Sequence, residues 1–423
     1  MEYVWLFLLF LTLIVLRVPI AVSLGLTSGL GLVLMGYNLS SIGGMFYTTI
    51  NSNILMSMPG YIFAGAIMGN GGISQHLLAG LQAWIGHIRG GIAMVAIVAC
   101  GIFAAITGSS TATVAAIGAI MLPALINSNY EKKFAMGLIC GGGTLGILIP
   151  PSIPLILYST ISEQSVAKLF AAGIIPGIMM IFIFIIYIRY KTRKTAQGQM
   201  AKSSWGDRFR LGTKALWGLA LPFIILGGIY SGAMTVAEAS AVAVIYALFV
   251  SIFVYRDYNA EKFKDVLRES LKTSSMVMLI VTACSIFGLY LTAARIPHKI
   301  VTAVMNANLS LVEVLVWCNI IILIMGMFME GVSIMLICAP LMCPIMSAMG
   351  FDLIQFGIIM TMNLELALLT PPVGMNLFIV SGITKEPLSD VVKGAIPFVF
   401  LITLGLVLVA IFPQISLFIL RFM

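Results

Sequence analysis

The sequence predicts an all-α polytopic membrane protein built from two inverted repeats, each holding a re-entrant helical hairpin followed by a broken helix. Three observations carry that expectation. Of 423 residues, 61% are hydrophobic and only 9% charged, an apolar excess beyond what a soluble core needs. Apolar stretches of spanning length recur along the chain, a spanning helix needing roughly 20 such residues. The chain's only two Pro-Pro pairs, Pro150-Pro151 and Pro371-Pro372, each follow a polar-tipped apolar stretch by the same distance.

The apolar stretches lie near 4 to 36, 50 to 68, 91 to 127, 134 to 160, 168 to 188, 215 to 230, 235 to 255, 272 to 292, 312 to 349, 355 to 384 and 394 to 420. The first begins after Met1-Glu2-Tyr3, without a basic region or a small-residue cleavage site. It continues past Leu34 with interruptions at Arg17 and Pro19, so membrane helices are expected there rather than a removed signal peptide. The stretch from Gly91 to Asn127 is interrupted by Thr107-Gly108-Ser109-Ser110-Thr111. Its arms are shorter than the roughly 20 residues that span a bilayer, and a re-entrant hairpin fits. The stretch from 312 to 349 is expected to break in the same way at Glu330-Gly331-Val332-Ser333.

Overlaying the two hairpin regions with a shift of 221 places Pro123 on Pro344 and Pro150-Pro151 on Pro371-Pro372. After each pair the helical pattern resumes, at Ile153-Pro154-Leu155 and at Met375-Asn376-Leu377. The inversion follows from charge. Arg189, Lys191, Arg193, Lys194, Lys202, Arg208, Arg210 and Lys214 are opposed only by Asp207, which places the loop 189–214 in the cytoplasm. A single helix over 215–230 then crosses the membrane before the second repeat and reverses it. The charged segment 256–272 is expected to lie on the cytoplasmic surface as an amphipathic helix, a solvated linker helix being the alternative.

Because the basic residues sit in short loops, the net charge of +8 reflects membrane topology and not a nucleic-acid surface. The six cysteines all fall in apolar stretches without CxxC spacing and are expected to be inert packing residues.

In hydrocarbon each unpaired backbone group costs on the order of several kcal/mol, so broken helices survive only where protein or a polar cavity surrounds them. Paired by a repeat, such breaks match the way secondary transporters build a site near the midplane. Half-helix C-termini offer carbonyl oxygens to a cation, and half-helix N-termini offer N–H groups to a carboxylate. In the first half the candidates are Ser109, Ser110 and Thr111 at the tip. Opposite them stand Gly141-Gly142-Gly143-Thr144 and the run Gly146 to Pro151, where glycine and proline would free carbonyls 146–150. The second half supplies Gly326, Gly331, Val332 and Ser333 with Ala367, Thr370, Pro371, Pro372 and Val373. Thr107, Gly108, Ser109, Thr111, Thr144, Ser333 and Asn376 are the candidate substrate ligands. For any single Gly or Ser, close helix packing is the alternative.

Glu330, Glu365 and Glu238 lie within or beside apolar segments, where ionisable groups are costly and often functional, so proton coupling is an alternative to cation coupling. Arg17 and Arg295 could meet a carboxylate, although Arg295 sits at a segment end and reads as an interface residue. An intramembrane hydrolase using Ser109 or Ser110 would need a histidine base, but His76, His87 and His298 lie near loops or segment ends. No HExxH and no GxxxxGK[ST] occurs, so metalloprotease and ATP-driven pump readings lack support.

Four motifs resemble the large membrane subunit of the tripartite ATP-independent periplasmic (TRAP) transporters, and the likeness runs over essentially the whole chain. They are Leu16-Arg17-Val18-Pro19-Ile20-Ala21, Ile106-Thr107-Gly108-Ser109-Ser110-Thr111-Ala112-Thr113, Gly146-Ile147-Leu148-Ile149-Pro150-Pro151-Ser152 and Leu369-Thr370-Pro371-Pro372-Val373-Gly374. The resemblance implies Na⁺-driven uptake of an organic acid, sialic acid or a C4-dicarboxylate, across the bacterial inner membrane. A soluble periplasmic binding protein would deliver the acid, and a small four-helix membrane subunit would be an obligate partner. It further implies an elevator motion. Residues 1–90 and 166–310 would be scaffold, 91–165 and 311–385 the two parts of a transport domain, and 386–423 a C-terminal membrane helix. By the same resemblance one Na⁺ site would use Ser109, Ser110, Gly146, Ile149 and Pro151. A second would use Gly326, Gly331, Thr370 and Val373, both mostly through backbone carbonyls. A stand-alone organic-anion permease is the remaining alternative within the transporter class.

Overall fold

The computed structural model describes residues 4–16, 18–193 and 201–423; the expectations placed on Arg17 and Lys194 lie outside them. Among the described residues the chain is helical throughout, without strands. Five helices lead in: α1 (Val4–Val15), α2 (Ile20–Leu34), α3 (Leu39–Ile50), α4 (Asn53–Asn70) and α5 (Ile73–Ile85). The first hairpin is α6 (Gly91–Thr107) and α7 (Ser110–Asn127), and the broken helix is α8 (Lys132–Leu148) and α9 (Ile153–Ser162). Then come α10 (Val166–Thr192), α11 (Trp205–Tyr230), α12 (Val236–Phe249), α13 (Ala260–Ala293) and α14 (Ile296–Asn306). The second hairpin is α15 (Leu311–Gly326) and α16 (Gly331–Ala348), followed by α17 (Leu353–Leu368), α18 (Met375–Thr384), α19 (Leu388–Ile411) and the short α20 (Gln414–Leu417). Among the described residues, eight helices are long and apolar enough to cross a membrane.

The repeat is visible element by element. Adding 221 to the bounds of α7 gives 331 and 348, the bounds of α16. The same shift carries α6, α8, α9 and α5 onto α15, α17, α18 and α14 within two residues at each end, and places α3 and α4 together inside α13. Packing between the halves is reciprocal: α7 rests on α18 and α16 on α9, while α4 rests on α12 and α13 on α2. At the centre stand the broken helices. Residues Ile354 to Leu368 of α17 are buried without interruption, as are Phe134 to Leu148 of α8.

Each break is locally determined. Helix α8 stops where Ile149 turns extended, since the prolines that follow bring no N–H to the ladder. Ser152 then caps α9, accepting from the Leu155 N–H at 3.4 Å and donating to the Ile147 carbonyl at 2.5 Å. The peptide bonds Pro150-Pro151 and Pro371-Pro372 are both cis.

Several expectations are corrected. The second hairpin breaks at Met327–Glu330, earlier than expected: Glu330 is the extended N-cap residue, and Gly331, Val332 and Ser333 already lie in the first turn of α16. The helix leaves its path only at Ile149, so Gly146, Ile147 and Leu148 of the expected run 146–150 stay within α8, as do Gly141 to Thr144. A Cβ at Gly141 would meet Phe398 at 2.7 Å, and one at Gly143 would meet Val114 at 2.0 Å, so these glycines serve close packing. The basic loop is shorter than 189–214. Arg189 and Lys191 belong to the last turn of α10, where cations complement the helix dipole, and Arg208, Arg210 and Lys214 lie on α11. The charged segment near 256–272 is no separate surface helix. From Ala260 it forms the first part of the continuous 34-residue α13, capped by Asn259, which accepts the Lys262 N–H at 2.8 Å.

Candidate functional site

In the first half the hairpin tip is reduced to Gly108 and Ser109. Gly108 closes α6 in a left-handed conformation (φ 60°), and a Cβ there would meet the Pro151 carbonyl oxygen at 2.6 Å. Only glycine fits this contact. Its own carbonyl accepts the Ile153 N–H at 3.3 Å, so the tip is joined to the break by backbone. Gly146 brings α8 equally close from the other side, where a Cβ would meet the Ser109 carbonyl oxygen at 2.5 Å. Ser109, Ser110, Gly146 and Pro151 therefore come together at one junction. The side chain of Ile149, the C-cap of α8, fills the space above Gly177, which leaves its backbone carbonyl as the group expected at the site.

The second half repeats this junction with different residues. Val373 donates its N–H to the Met327 carbonyl at 3.0 Å, the counterpart of the Ile153–Gly108 bond. Gly326 faces Ala367, where a Cβ would meet the alanine methyl at 2.1 Å, and Gly331 faces Leu364. The Thr370 hydroxyl donates back to the Leu366 carbonyl at 2.6 Å. Close-packed glycine and a backbone hydrogen bond from break to tip thus recur in both halves.

The candidate substrate ligands separate into two groups. Thr107, Ser109 and Thr111 line a cleft of about 620 Å³ between the first hairpin and α4, with Glu269, Ser270 and Thr273 of α13 on its far wall. Ser109 and Thr111 hydrogen-bond each other through their hydroxyls at 3.2 Å, and the Thr107 hydroxyl meets that of Thr113 at 3.1 Å. Gly108, Thr144, Ser333 and Asn376 line neither this cleft nor its counterpart. Thr144 is buried and donates to the Gly141 carbonyl at 2.7 Å, while the buried Ser333 hydroxyl has no partner. Asn376, from the second half, reaches into the first: its amide donates to the Ser110 hydroxyl at 2.8 Å and to the Cys140 carbonyl at 3.3 Å.

A second cleft, of about 940 Å³, is lined by Thr49, Ser52, Thr292, Arg295, Leu336 and Pro340 among others. It is the repeat image of the first. A shift of 221 takes Thr49 and Ser52 onto Ser270 and Thr273, and brings Ala115 and Ala119 of the first cleft onto Leu336 and Pro340. Arg295, expected at a membrane interface, faces this cleft. The clefts themselves, and the role of α13 and α3 as their walls, were not foreseen, although the shift applied to the hydroxyls of α3 would have pointed to α13.

The three acidic residues weighed from sequence part company. Glu238 forms a capping box with Thr235, accepting the Thr235 N–H and hydroxyl at 2.8 Å each, and so serves the start of α12. Glu330 occupies the N-cap position of α16 without a side-chain cap bond. Glu365 is fully buried on α17, and neither carboxyl oxygen has a hydrogen-bond partner. The hydroxyls of Ser109 and Ser110 are engaged by Thr111 and Asn376, not by an imidazole, which leaves the hydrolase alternative without its base.

Comparison with known proteins agrees with this architecture. Residues 7–415 match the family described as "Tripartite ATP-independent periplasmic transporter, DctM component". The chain is 42% identical over 396 residues to the C4-dicarboxylate TRAP transporter large permease protein DctM of Pseudomonas aeruginosa, covering 93% of each chain. It is 35% identical to the isethionate TRAP transporter permease protein DctMQ of Oleidesulfovibrio alaskensis, covering 97% of this chain and 65% of that one. Against the sialic acid TRAP transporter large permease protein SiaM of Vibrio cholerae the identity is 31%, over 87% of this chain and 86% of the other. Among solved structures, the Alcanivorax borkumensis YdaH transporter shares the fold with a TM-score of 0.59 at 14% identity, covering 88% of this chain and 87% of that chain. These relatives are transporter permeases and not enzymes. With paired tip-and-break junctions, eight helices of spanning character and a family match over nearly its whole length, the chain belongs to the DctM component of the TRAP transporters, the large permease subunits, as a multi-pass protein of the bacterial inner membrane.

Proposed function

We propose that this subunit couples inward Na⁺ movement to uptake of a C4-dicarboxylate or a related organic acid. The observation that carries the reading is the doubled junction, in which Ile153 N–H to Gly108 carbonyl and Val373 N–H to Met327 carbonyl tie each tip to its break. Both junctions gather glycines and backbone carbonyl oxygens where a tip meets a break, a setting suited to a hard cation. Na⁺ bound between Ser109, Ser110, Gly146, Ile149 and Pro151, and again between Gly326, Gly331, Thr370 and Val373, would hold each tip on its break. An ordered first tip presents Thr107, Ser109 and Thr111 to the 620 Å³ cleft, where hydroxyls and the N-terminus of α7 suit a carboxylate. Ion binding thereby prepares the solute site.

The two repeat-related clefts favour alternating access with the halves inverted in the membrane. In this reading α6–α9 and α15–α18 form the transport domain. It slides as an elevator against a scaffold built from α2, α4, α12 and α13, and each cleft serves one side of the membrane. The C4-dicarboxylate class is supported by the name of the relative with 42% identity. A small membrane subunit as partner is supported by the relative named as a DctMQ permease, which this chain covers over 65% of its length, and a periplasmic binding protein by the tripartite family description.

Reconstitution of the chain with its small subunit and binding protein in liposomes tests the reading. Labelled C4-dicarboxylate should accumulate against its gradient when Na⁺ is higher outside. Equal accumulation with choline in place of Na⁺ would overturn the coupling.

A further inference from the structure

The two clefts are repeat images in position but not in charge. Arg295, at the corner between α13 and α14, lines the cleft of about 940 Å³ together with Glu163 and His298. In the cleft of about 620 Å³ the charged lining residue is Glu269 of α13. Neither charge is repeated. The 221 shift places Arg295 on Ser74, which lines the smaller cleft, and Glu269 on Thr48 of α3.

Helix α13 carries one cleft towards each end. Glu269, Ser270 and Thr273 face the smaller cleft, Gly288 and Thr292 the larger. The helix is continuous between them, and from Glu269 to Thr292 it spans about 35 Å at roughly 1.5 Å per residue. That length matches the roughly 30 Å hydrocarbon core of a bilayer, which puts the clefts on opposite sides. Arg189 and Lys191 end α10, and Arg208 and Arg210 begin α11, a basic connection that belongs in the cytoplasm. Two segments of spanning character, Trp205–Tyr230 and Val236–Val254, then return the chain to that side before α13 starts. The cleft of Glu269 is therefore the inner one, and the cleft of Arg295 the outer one.

The Arg295 guanidinium is unclaimed. The residue is exposed, and among the described residues it enters no ion pair, Glu163 of the same cleft included. It occupies the N-cap position of α14 without a side-chain cap bond, at the end of a helix where the dipole disfavours a cation. Helix α14 thus gains nothing from arginine here, and Ser74 shows that the fold accepts a neutral residue at the equivalent place. A guanidinium between low-dielectric walls concentrates anions, and its planar fork matches a carboxylate with two parallel N–H···O bonds. Thr49, Ser52 and Thr292 add hydroxyls to the same cleft. Glu269 has the opposite effect, disfavouring an anion at the inner cleft.

We propose that Arg295 is the carboxylate-binding residue of the outer cleft, receiving the organic acid on the periplasmic side before the transport domain carries it inward. The proposal rests on the organic-acid reading of the transporter but not on Na⁺ coupling.

The test uses the complete transporter, small subunit included, with labelled succinate as the probe and Ala112→Trp to fill the inner cleft. Equilibrium binding should persist in Ala112→Trp and weaken about tenfold or more when Arg295→Gln is added, the loss expected for one charge-assisted contact. Adding Arg295→Lys instead, which keeps the charge but not the fork, should weaken binding by less than Arg295→Gln. Equal affinity with and without Arg295→Gln, or no binding in Ala112→Trp, would overturn the proposal. In liposomes, Arg295→Gln alone should raise KM for uptake about tenfold with kcat close to wild type. A lowered kcat at unchanged KM marks a structural role and contradicts the assignment. The two readings fail separately: a wild type that accumulates no acid overturns the organic-acid reading, whereas binding that ignores residue 295 overturns this inference alone.

Discussion

Asn376 and Ser110 lie 266 residues apart in sequence and hydrogen-bond each other in the buried core, amide to hydroxyl at 2.8 Å. Ser110 is the first residue of the first hairpin's second arm, and Asn376 opens the second half of the other broken helix. This contact ties one repeat's tip to the other repeat's break.

Removing it should therefore be felt in both halves. Asn376→Ala leaves the Ser110 hydroxyl without its partner and removes the bond to the Cys140 carbonyl, a loss on the order of 1–3 kcal/mol for buried groups. Ser110→Ala and Asn376→Ala should be non-additive, with a coupling energy of about 1 kcal/mol in a double-mutant cycle on thermal stability. Additive effects would mean that the two side chains act independently.

Gly146→Ala should abolish Na⁺-dependent uptake while the protein still reaches the membrane. The added methyl would sit 2.5 Å from the Ser109 carbonyl oxygen and displace the tip, an overpacking of roughly 1–3 kcal/mol. Gly382→Ala is the matched control, since nothing lies within 4 Å of its would-be Cβ. That change should leave uptake intact and, inside α18, stabilise by about 0.5–1 kcal/mol. Equal uptake in the two variants would remove the tip contact from the account.

Ala112→Trp tests the 620 Å³ cleft. Ala112 is exposed and lines it, so the indole can be placed without opening the core. Solute uptake should fall at least tenfold with Na⁺ binding retained. Undiminished uptake would show that solute passes elsewhere.

Thr235→Ala should act on stability alone. Loss of the capping box at the start of α12 lowers the melting temperature by a few degrees, corresponding to about 1 kcal/mol, while uptake rates and Na⁺ dependence stay as in wild type.

These contacts also show what the sequence discloses and what it withholds. The hairpins and breaks were legible because Pro-Pro pairs at a constant shift report a backbone constraint that few other residues impose. Helices α3, α5 and α14 were not, being 11 to 13 residues long and too short to read as spanning segments. The Gly141-Gly142-Gly143 run can be read as part of a site opposite the tip or as a packing face, and the presence of Phe398 and Val114 against it shows packing. The role of Glu238 was available from Thr-x-x-Glu spacing, which outweighs its position beside an apolar segment. The Asn376–Ser110 bond could not be read from either residue, because it depends on the reciprocal packing of the two halves.

Direct measurement of Na⁺ binding to the purified chain tests the central claim that the tip-and-break junctions are ion sites. With radioactive ²²Na⁺, wild type should bind more than one ion per chain, and Gly146→Ala should lose one while keeping the site formed by Gly326, Gly331, Thr370 and Val373. Full wild-type stoichiometry and affinity in Gly146→Ala would contradict the account.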